Sequence, residues 1–116
     1  MNNQEAGLLG ENLAAKLIEE KGYKILERNY RFGKGEIDII AKTENVLVFI
    51  EVKTRTNLEY GPPELAVTKS KQSQIRRIAQ AYLNENNTDC ESRLDVIAIL
   101  LKKDQPEYIN HIENAF

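Results

Sequence analysis

Two apolar runs, separated by the polar tetrapeptide Lys42-Thr43-Glu44-Asn45, carry charges where a buried strand has no water to offer. They read Gly35-Glu36-Ile37-Asp38-Ile39-Ile40 and, after Val46-Leu47-Val48-Phe49, Ile50-Glu51-Val52-Lys53-Thr54-Arg55. Side chains alternate between the faces of a strand. Leu47, Phe49, Glu51 and Lys53 therefore share one face and Val46, Val48, Ile50 and Val52 the other, while Glu36, Asp38 and Ile40 fall together in the first run. A strand apolar on both faces belongs in the middle of a sheet, covered by helices on each side. The tetrapeptide has hairpin length, which predicts antiparallel pairing. With residues 42–45 as the loop, Ala41 faces Val46, Asp38 faces Phe49, Glu36 faces Glu51, and Asp38 is a diagonal neighbour of Glu51.

Like charges across a sheet repel, and a buried unpaired carboxylate costs several kcal/mol. A positive partner is therefore required among them. Lys53 is one choice, which would make the group a structural ion-pair network. A divalent cation is the other, since two or three carboxylate oxygens plus water suit the hard, oxygen-seeking ions Mg²⁺ and Mn²⁺. The residues alone leave both open.

The rest of the chain gives these runs a frame. A length of 116 residues fits one domain, residues 1–116, and 41% hydrophobic with 29% charged residues is an ordinary globular balance. No apolar run approaches the roughly 18–20 residues of a membrane span, and the first residues lack a secretory pattern, so a cytoplasmic protein with no membrane partner is expected. The single Cys90 cannot form an internal disulfide. Residues 4–21 read as a helix with Leu9, Leu13 and Leu17 on its apolar stripe, widened by Ala6, Ala14 and Ile18, and with Glu11 at the border, stopped by Gly22. Gly7 and Gly10 weaken that helix and suggest a close backbone approach. A strand follows at residues 23–31. After Pro63 a helix is predicted to about residue 86 on Ile75, Ile78, Ala79 and Tyr82, with Lys71 on the same inward face. Strands at residues 94–101, interrupted by Asp95, and 107–112 complete the order α-β-β-β-α-β-β. His111, on an otherwise apolar strand, reads as a packing or capping residue rather than a general base.

The net charge of −2 does not favour nucleic acid, but its distribution does. Residues 52–77 hold Lys53, Arg55, Lys69, Lys71, Arg76 and Arg77 against Glu59 and Glu64, whereas residues 84–116 hold seven acids against three bases. Positive potential thus lies beside the acidic cluster, where a phosphate backbone would need it.

The element order with Asp38, Glu51-x-Lys53 and a helix glutamate resembles the PD-(D/E)XK nuclease superfamily and its archaeal Holliday-junction resolvases. The phrases Arg28-Asn29-Tyr30-Arg31, Gly35-Glu36-Ile37-Asp38, Phe49-Ile50-Glu51-Val52-Lys53-Thr54-Arg55, Gly61-Pro62 and Asn114-Ala115-Phe116 resemble, over nearly the whole chain, the YraN-like family of uncharacterised bacterial proteins. The resemblance implies a restriction-endonuclease-like α/β fold, three layers with a central mixed five-stranded sheet flanked by helices. It also implies a Mg²⁺- or Mn²⁺-dependent DNA endonuclease acting in repair, recombination or DNA uptake, with branched DNA among its substrates and a homodimer for symmetric cutting. Asp38 and Glu51 would then be metal ligands, joined by the Val52 carbonyl and Glu11. Lys53 would be catalytic beside the water or scissile phosphate, and Arg55, Lys69, Lys71 and Arg76 would contact DNA. No role follows for Glu36. A fold does not guarantee an activity. A nucleic-acid-binding module that does not cleave, and an interaction protein whose acids are structural, are the competing readings.

Overall fold

The computed structural model describes residues 1–86 and 88–116. Its elements are α1 (Asn3–Glu20), β1 (Lys24–Phe32), β2 (Gly35–Thr43), β3 (Val46–Arg55), a 3₁₀ turn (Pro63–Leu65), α2 (Lys69–Glu85), β4 (Glu91–Leu100) and β5 (Tyr108–Ile112). The strands form one sheet in the order β1-β2-β3-β4-β5. All neighbours are antiparallel except β3 and β4, which are parallel because the 3₁₀ turn and α2 carry the chain back between them. One helix lies on each face. Ala14, Ala15 and Ile18 of α1 pack on Ile39, Ala41, Val48, Ile50, Val52, Ile97 and Ile99. On the opposite face Ile75, Ile78, Ala79 and Tyr82 of α2 pack on Ile37, Ile40, Leu47 and Phe49. This is the three-layer, restriction-endonuclease-like α/β architecture, with β2 and β3 interior as their two apolar faces require. Among the described residues no helix is long and apolar enough to cross a membrane.

Four local expectations need correction. The hairpin loop is two residues, not four: Thr43 pairs with Val46, Ala41 with Val48 and Ile39 with Ile50, with Glu44 in the left-handed region at φ 52°. The register is thus shifted by two residues. The paired ladder ends at Ile39 and Ile50, and Asp38 and Glu51, the next residues beyond it, still meet through their side chains.

Asp38 and Ile40 do not share a face in a regular pleat. Ile37 and Ile40, three residues apart, both pack under α2 while Ile39 packs under α1. Period two cannot do this, so the alternation breaks at Asp38. The ladder to β1 passes from Arg28↔Ile39 to Tyr30↔Ile37, skipping Asn29, whose φ is 54°.

The buried stripe of α1 is centred on the small residues and not on the leucines: Ala6, Ala14 and Ile18, expected only to widen it, are buried with Gly10 and Ala15, whereas Leu9 is exposed and Leu13 and Leu17 are half-buried. Small residues win because the helix lies close on the sheet. A Cβ on Gly10 would stand 1.9 Å from Thr54 Oγ1, whereas Gly7 meets nothing. Finally, α2 begins at Lys69 rather than after Pro63. Thr68 caps it, its hydroxyl accepting from the Lys71 N–H at 3.2 Å. The preceding 3₁₀ turn is held to β5, since Glu64 accepts from the Tyr108 hydroxyl at 2.6 Å and the Asn110 amide at 3.1 Å.

The interruption of β4 by Asp95 also has a structural answer. Its fully buried carboxylate accepts from Arg93 Nε and Arg93 Nη2, each at 2.9 Å, from His111 Nε2 at 2.7 Å and from the Asn114 N–H at 3.0 Å. Burial alone would raise this carboxyl; the donors from His111, Arg93 and Asn114 together hold it below the usual carboxylate range. Lys21 Nζ donates to His111 Nδ1 at 2.9 Å, which leaves the ring proton on Nε2 facing Asp95. His111 therefore has an acidic partner, from a strand sixteen residues away in sequence.

Two stability predictions follow from this packing. Gly10→Ala is expected to destabilise by about 1–3 kcal/mol in urea unfolding despite the better helix propensity of alanine, and adding Thr54→Ala should recover most of the loss. A Gly10→Ala protein as stable as the parent would remove the close-approach argument. Asp95→Ala is expected to cost about 3–5 kcal/mol, because it leaves the inward-pointing Arg93 guanidinium without its main partner.

Candidate metal centre and nucleic-acid interface

Asp38 reaches the centre because β2 breaks its pleat there. Its Oδ2 accepts the Val52 backbone N–H at 2.8 Å, a side chain standing in for a ladder bond. Glu51 enters from β3, on the face turned to α2. Both carboxylates are buried, at 8% and 5% exposure, so neither is solvated enough to keep two charges comfortable side by side. Burial, then the adjacent Glu51 carboxylate, pushes the Asp38 carboxyl up to about 8, against the pull of the Val52 N–H.

Positive charge near this pair is sparse. Lys71 Nζ, from the first turn of α2, is 3.9 Å from Glu51 Oε2, too long for a hydrogen bond. Glu51 Oε2 is buried and has no hydrogen-bond partner among the described residues. Lys53 lies two residues along the same face, half-buried, and forms no ion pair among the described residues. The cation nearest Glu51 is thus Lys71, not Lys53.

A divalent cation fits what is present. A buried Glu51 oxygen that meets no N–H among the described residues, beside an Asp38 carboxyl that keeps its proton because of Glu51, is a hard oxygen donor pair whose shared proton a divalent cation would replace. The third donor is less settled into place. Glu11 Oε1 accepts from Asn29 Nδ2 at 2.8 Å, made possible by the left-handed backbone of Asn29. Burial, with the nearby Asp38 and Glu36 carboxylates, raises the Glu11 carboxyl, while the Asn29 amide and Arg28 oppose this. Glu11 thus feels the pair without joining it: among the described residues no three His, Cys, Asp or Glu side chains converge as a metal-binding group. Glu36 pairs with Arg31 at 3.4 Å across the β1–β2 ladder.

Lys71 also lines a basic groove. One cavity, of about 260 Å³, is lined by Arg31, Lys34, Glu36, Lys71 and Gln74, and a second, of about 380 Å³, by Thr68, Ser70, Lys71, Gln74 and Arg77. They share Lys71 and Gln74 and so form one surface. Gly35 lets the chain pass beneath Gln74, since a Cβ there would stand 2.8 Å from its side chain. The structure therefore brings together Asp38, Glu51, Val52 and Lys71, with Lys53 and Glu11 alongside. It does not bring in Lys69, which is exposed at the start of α2, or Arg76, whose guanidinium lies 5.4 Å over the Phe116 ring. Arg55 stands at the end of β3, beyond Lys53. Arg31, Lys34 and Arg77 belong to the groove and were not singled out for it by sequence; Arg31 and Lys34 flank the Gly35-Glu36-Ile37-Asp38 phrase, the one signal that pointed to them.

The sign of the pH dependence follows from Asp38. Its folded value lies above the ordinary carboxylate value of 3.8, so between about 4 and 8 the folded chain binds a proton that the unfolded chain has released. In EDTA, thermal stability should fall as pH rises through this window, and Asp38→Asn should flatten the slope. Mn²⁺ should raise the melting temperature more at pH 8 than at pH 6, because binding must displace that proton. A pH-independent Mn²⁺ effect would place the ion elsewhere.

Comparison with known proteins agrees with the phrases in the sequence. The model of the uncharacterised protein family UPF0102 matches residues 10–99. A UPF0102 protein of Trichlorobacter lovleyi is 49% identical over 98% of this chain and 91% of its own length. That of Pelobacter propionicus is 48% identical over 99% and 84%, and that of Caldanaerobacter subterraneus 44% identical over 100% and 98%. With most of the chain matched by the family model and near-complete relatives approaching half identity, this chain belongs to UPF0102, the YraN-like family of uncharacterised proteins.

Proposed function

We propose that the chain is a divalent-metal-dependent nuclease that hydrolyses phosphodiester bonds in DNA, with branched DNA of repair, recombination or uptake among its substrates. The observation that carries this reading is the buried Glu51 Oε2 beside Asp38, without a hydrogen-bond partner among the described residues and 3.9 Å from Lys71, which also lines the groove of Arg31, Lys34 and Arg77. A site that is short of positive charge at its centre and rich in it at its rim suits a metal ion inside and a phosphate backbone outside.

Hydrolysis adds water across a P–O bond: the attacking water gives up a proton and the leaving oxygen gains one. A divalent cation held by Asp38 and Glu51, when bound, would polarise the phosphoryl oxygen and acidify water. Asp38 would be held in place by the Val52 N–H, and Lys71 would approach the phosphoryl group from α2. Lys53, unpaired and on the same face as Glu51, would stabilise charge developing on the phosphorus oxygens. Asn29 would keep Glu11 oriented toward the centre.

A non-catalytic nucleic-acid-binding module is the second reading, and one observation favours it: Glu11 is tied to Asn29 rather than completing a three-acid group. One experiment separates the two. Linear, flapped and four-way-junction DNA are incubated with the protein in Mn²⁺, Mg²⁺ or EDTA, beside Asp38→Ala and Lys53→Ala. Cleavage is expected only with metal, lost in Asp38→Ala and reduced about 10²–10³-fold in Lys53→Ala. Salt-sensitive binding with no product in either metal would establish the module instead.

A further inference from the structure

A second cavity of about 400 Å³ lies past the end of β3, between the first turns of α1 and the loop that follows Arg55. Among the described residues its lining includes Asn3, Thr54, Arg55, Thr56, Asn57 and Tyr60, and no acidic residue. Arg55 is the charged member. Its Nε is buried and has no hydrogen-bond partner among the described residues, although its backbone is fixed, the carbonyl accepting from the Leu101 N–H at 2.8 Å. A buried guanidinium N–H without a partner is costly unless an anion or water meets it.

The loop is built to hold its residues still. Asn57 Oδ1 accepts from the Glu59 N–H at 2.9 Å, and Gly61, at φ 92°, closes a turn on the Leu58 carbonyl at 3.0 Å. Between these bonds the Tyr60 side chain is 86% exposed, so burial of its ring does not account for its position. Asn3 opens α1, whose 18-residue length presents a positive dipole end to the same space.

We infer that this cavity is a subsite for one nucleotide of a single-stranded segment, its phosphate held by Arg55 and its base stacked on Tyr60. The proposal rests on the nucleic-acid reading of the metal centre, and narrows it. The chemistry selects an unpaired strand, because bases inside a duplex have no free face to offer a tyrosine. The volume suits a single nucleotide-sized ligand. Arg55 is four residues beyond Glu51 on the same strand, about 13 Å at the rise of a β-strand. The subsite would therefore hold unpaired strand a few nucleotides from the carboxylates, as at the junction of a duplex with a flap.

Binding measured without metal tests this independently of cleavage. Fluorescence anisotropy in EDTA compares a labelled oligothymidine with a blunt duplex, for the parent chain, Tyr60→Ala, Tyr60→Phe and Arg55→Gln, each first shown by thermal unfolding to be folded. Tyr60→Ala should weaken oligothymidine binding about tenfold while leaving duplex binding unchanged, and Tyr60→Phe should restore it. Arg55→Gln should weaken the same ligand and reduce its logarithmic salt dependence by about 0.7. Equal binding of oligothymidine by the parent and Tyr60→Ala, or an equal loss for duplex and single strand, would overturn the subsite. Cleavage of duplex by the Tyr60→Ala protein in Mn²⁺, assayed in parallel, reports on the nuclease reading alone. Loss of either result therefore leaves the other standing.

Discussion

The constraint on which the molecule turns is the position of β3. Both of its hydrogen-bonding edges are taken, by β2 and β4, and both of its faces are covered, by α1 and α2. A charged residue in its middle has no route to water, so Glu51 must be answered from within the protein. What meets it first is another acid, Asp38, which is there because β2 abandons its pleat at that residue and gives its side chain to the Val52 N–H. Lys71 then approaches to 3.9 Å, too far to fill the deficit, and joins it to the groove of Arg31 and Lys34.

The two faces of the sheet handle a buried carboxylate in opposite ways. Asp95, on the α1 side, is saturated by donors from β4, β5 and the segment beyond. Its network is closed and explains itself as architecture. Glu51, on the α2 side, keeps an oxygen without a partner. Comparable burial with such different satisfaction is the physical basis for reading one cluster as a fastening and the other as a site.

Element order and the interior placement of β2 and β3 were legible from apolar patterning, because each depends only on periodicity; the meeting of Asp38 with Glu51 was expected from alternation but is reached through a break in it. The register was not, since the polar run 42–45 gives a maximum loop length and the pairing of Thr43 with Val46 uses two of its residues. In α1 the pattern offered Ala6, Ala14 and Ile18 only as the edge of a leucine stripe; how closely helix and sheet approach is a property of Gly10 and Thr54 together, forty-four residues apart in the chain, and no local pattern carries it. His111 was separated from Asp95 by the whole of the β4–β5 connection, and sequence proximity is the wrong measure of acidity around a ring. Tyr60 carries no periodic signal at all, because its role depends on a loop held by Asn57 and Gly61.

The Asp95 cluster has a consequence for the order in which the chain can be completed. Lys21 and Tyr23 wait at the end of α1 and the start of β1, Arg93 and Asp95 arrive with β4, and His111 and Asn114 come last. Until residues 111–114 are in place, Asp95 lacks part of its set of donors. The network therefore ties the end of α1, β4, β5 and the segment after β5 into one fastening, in which loss of any one member leaves a buried charge underpaired.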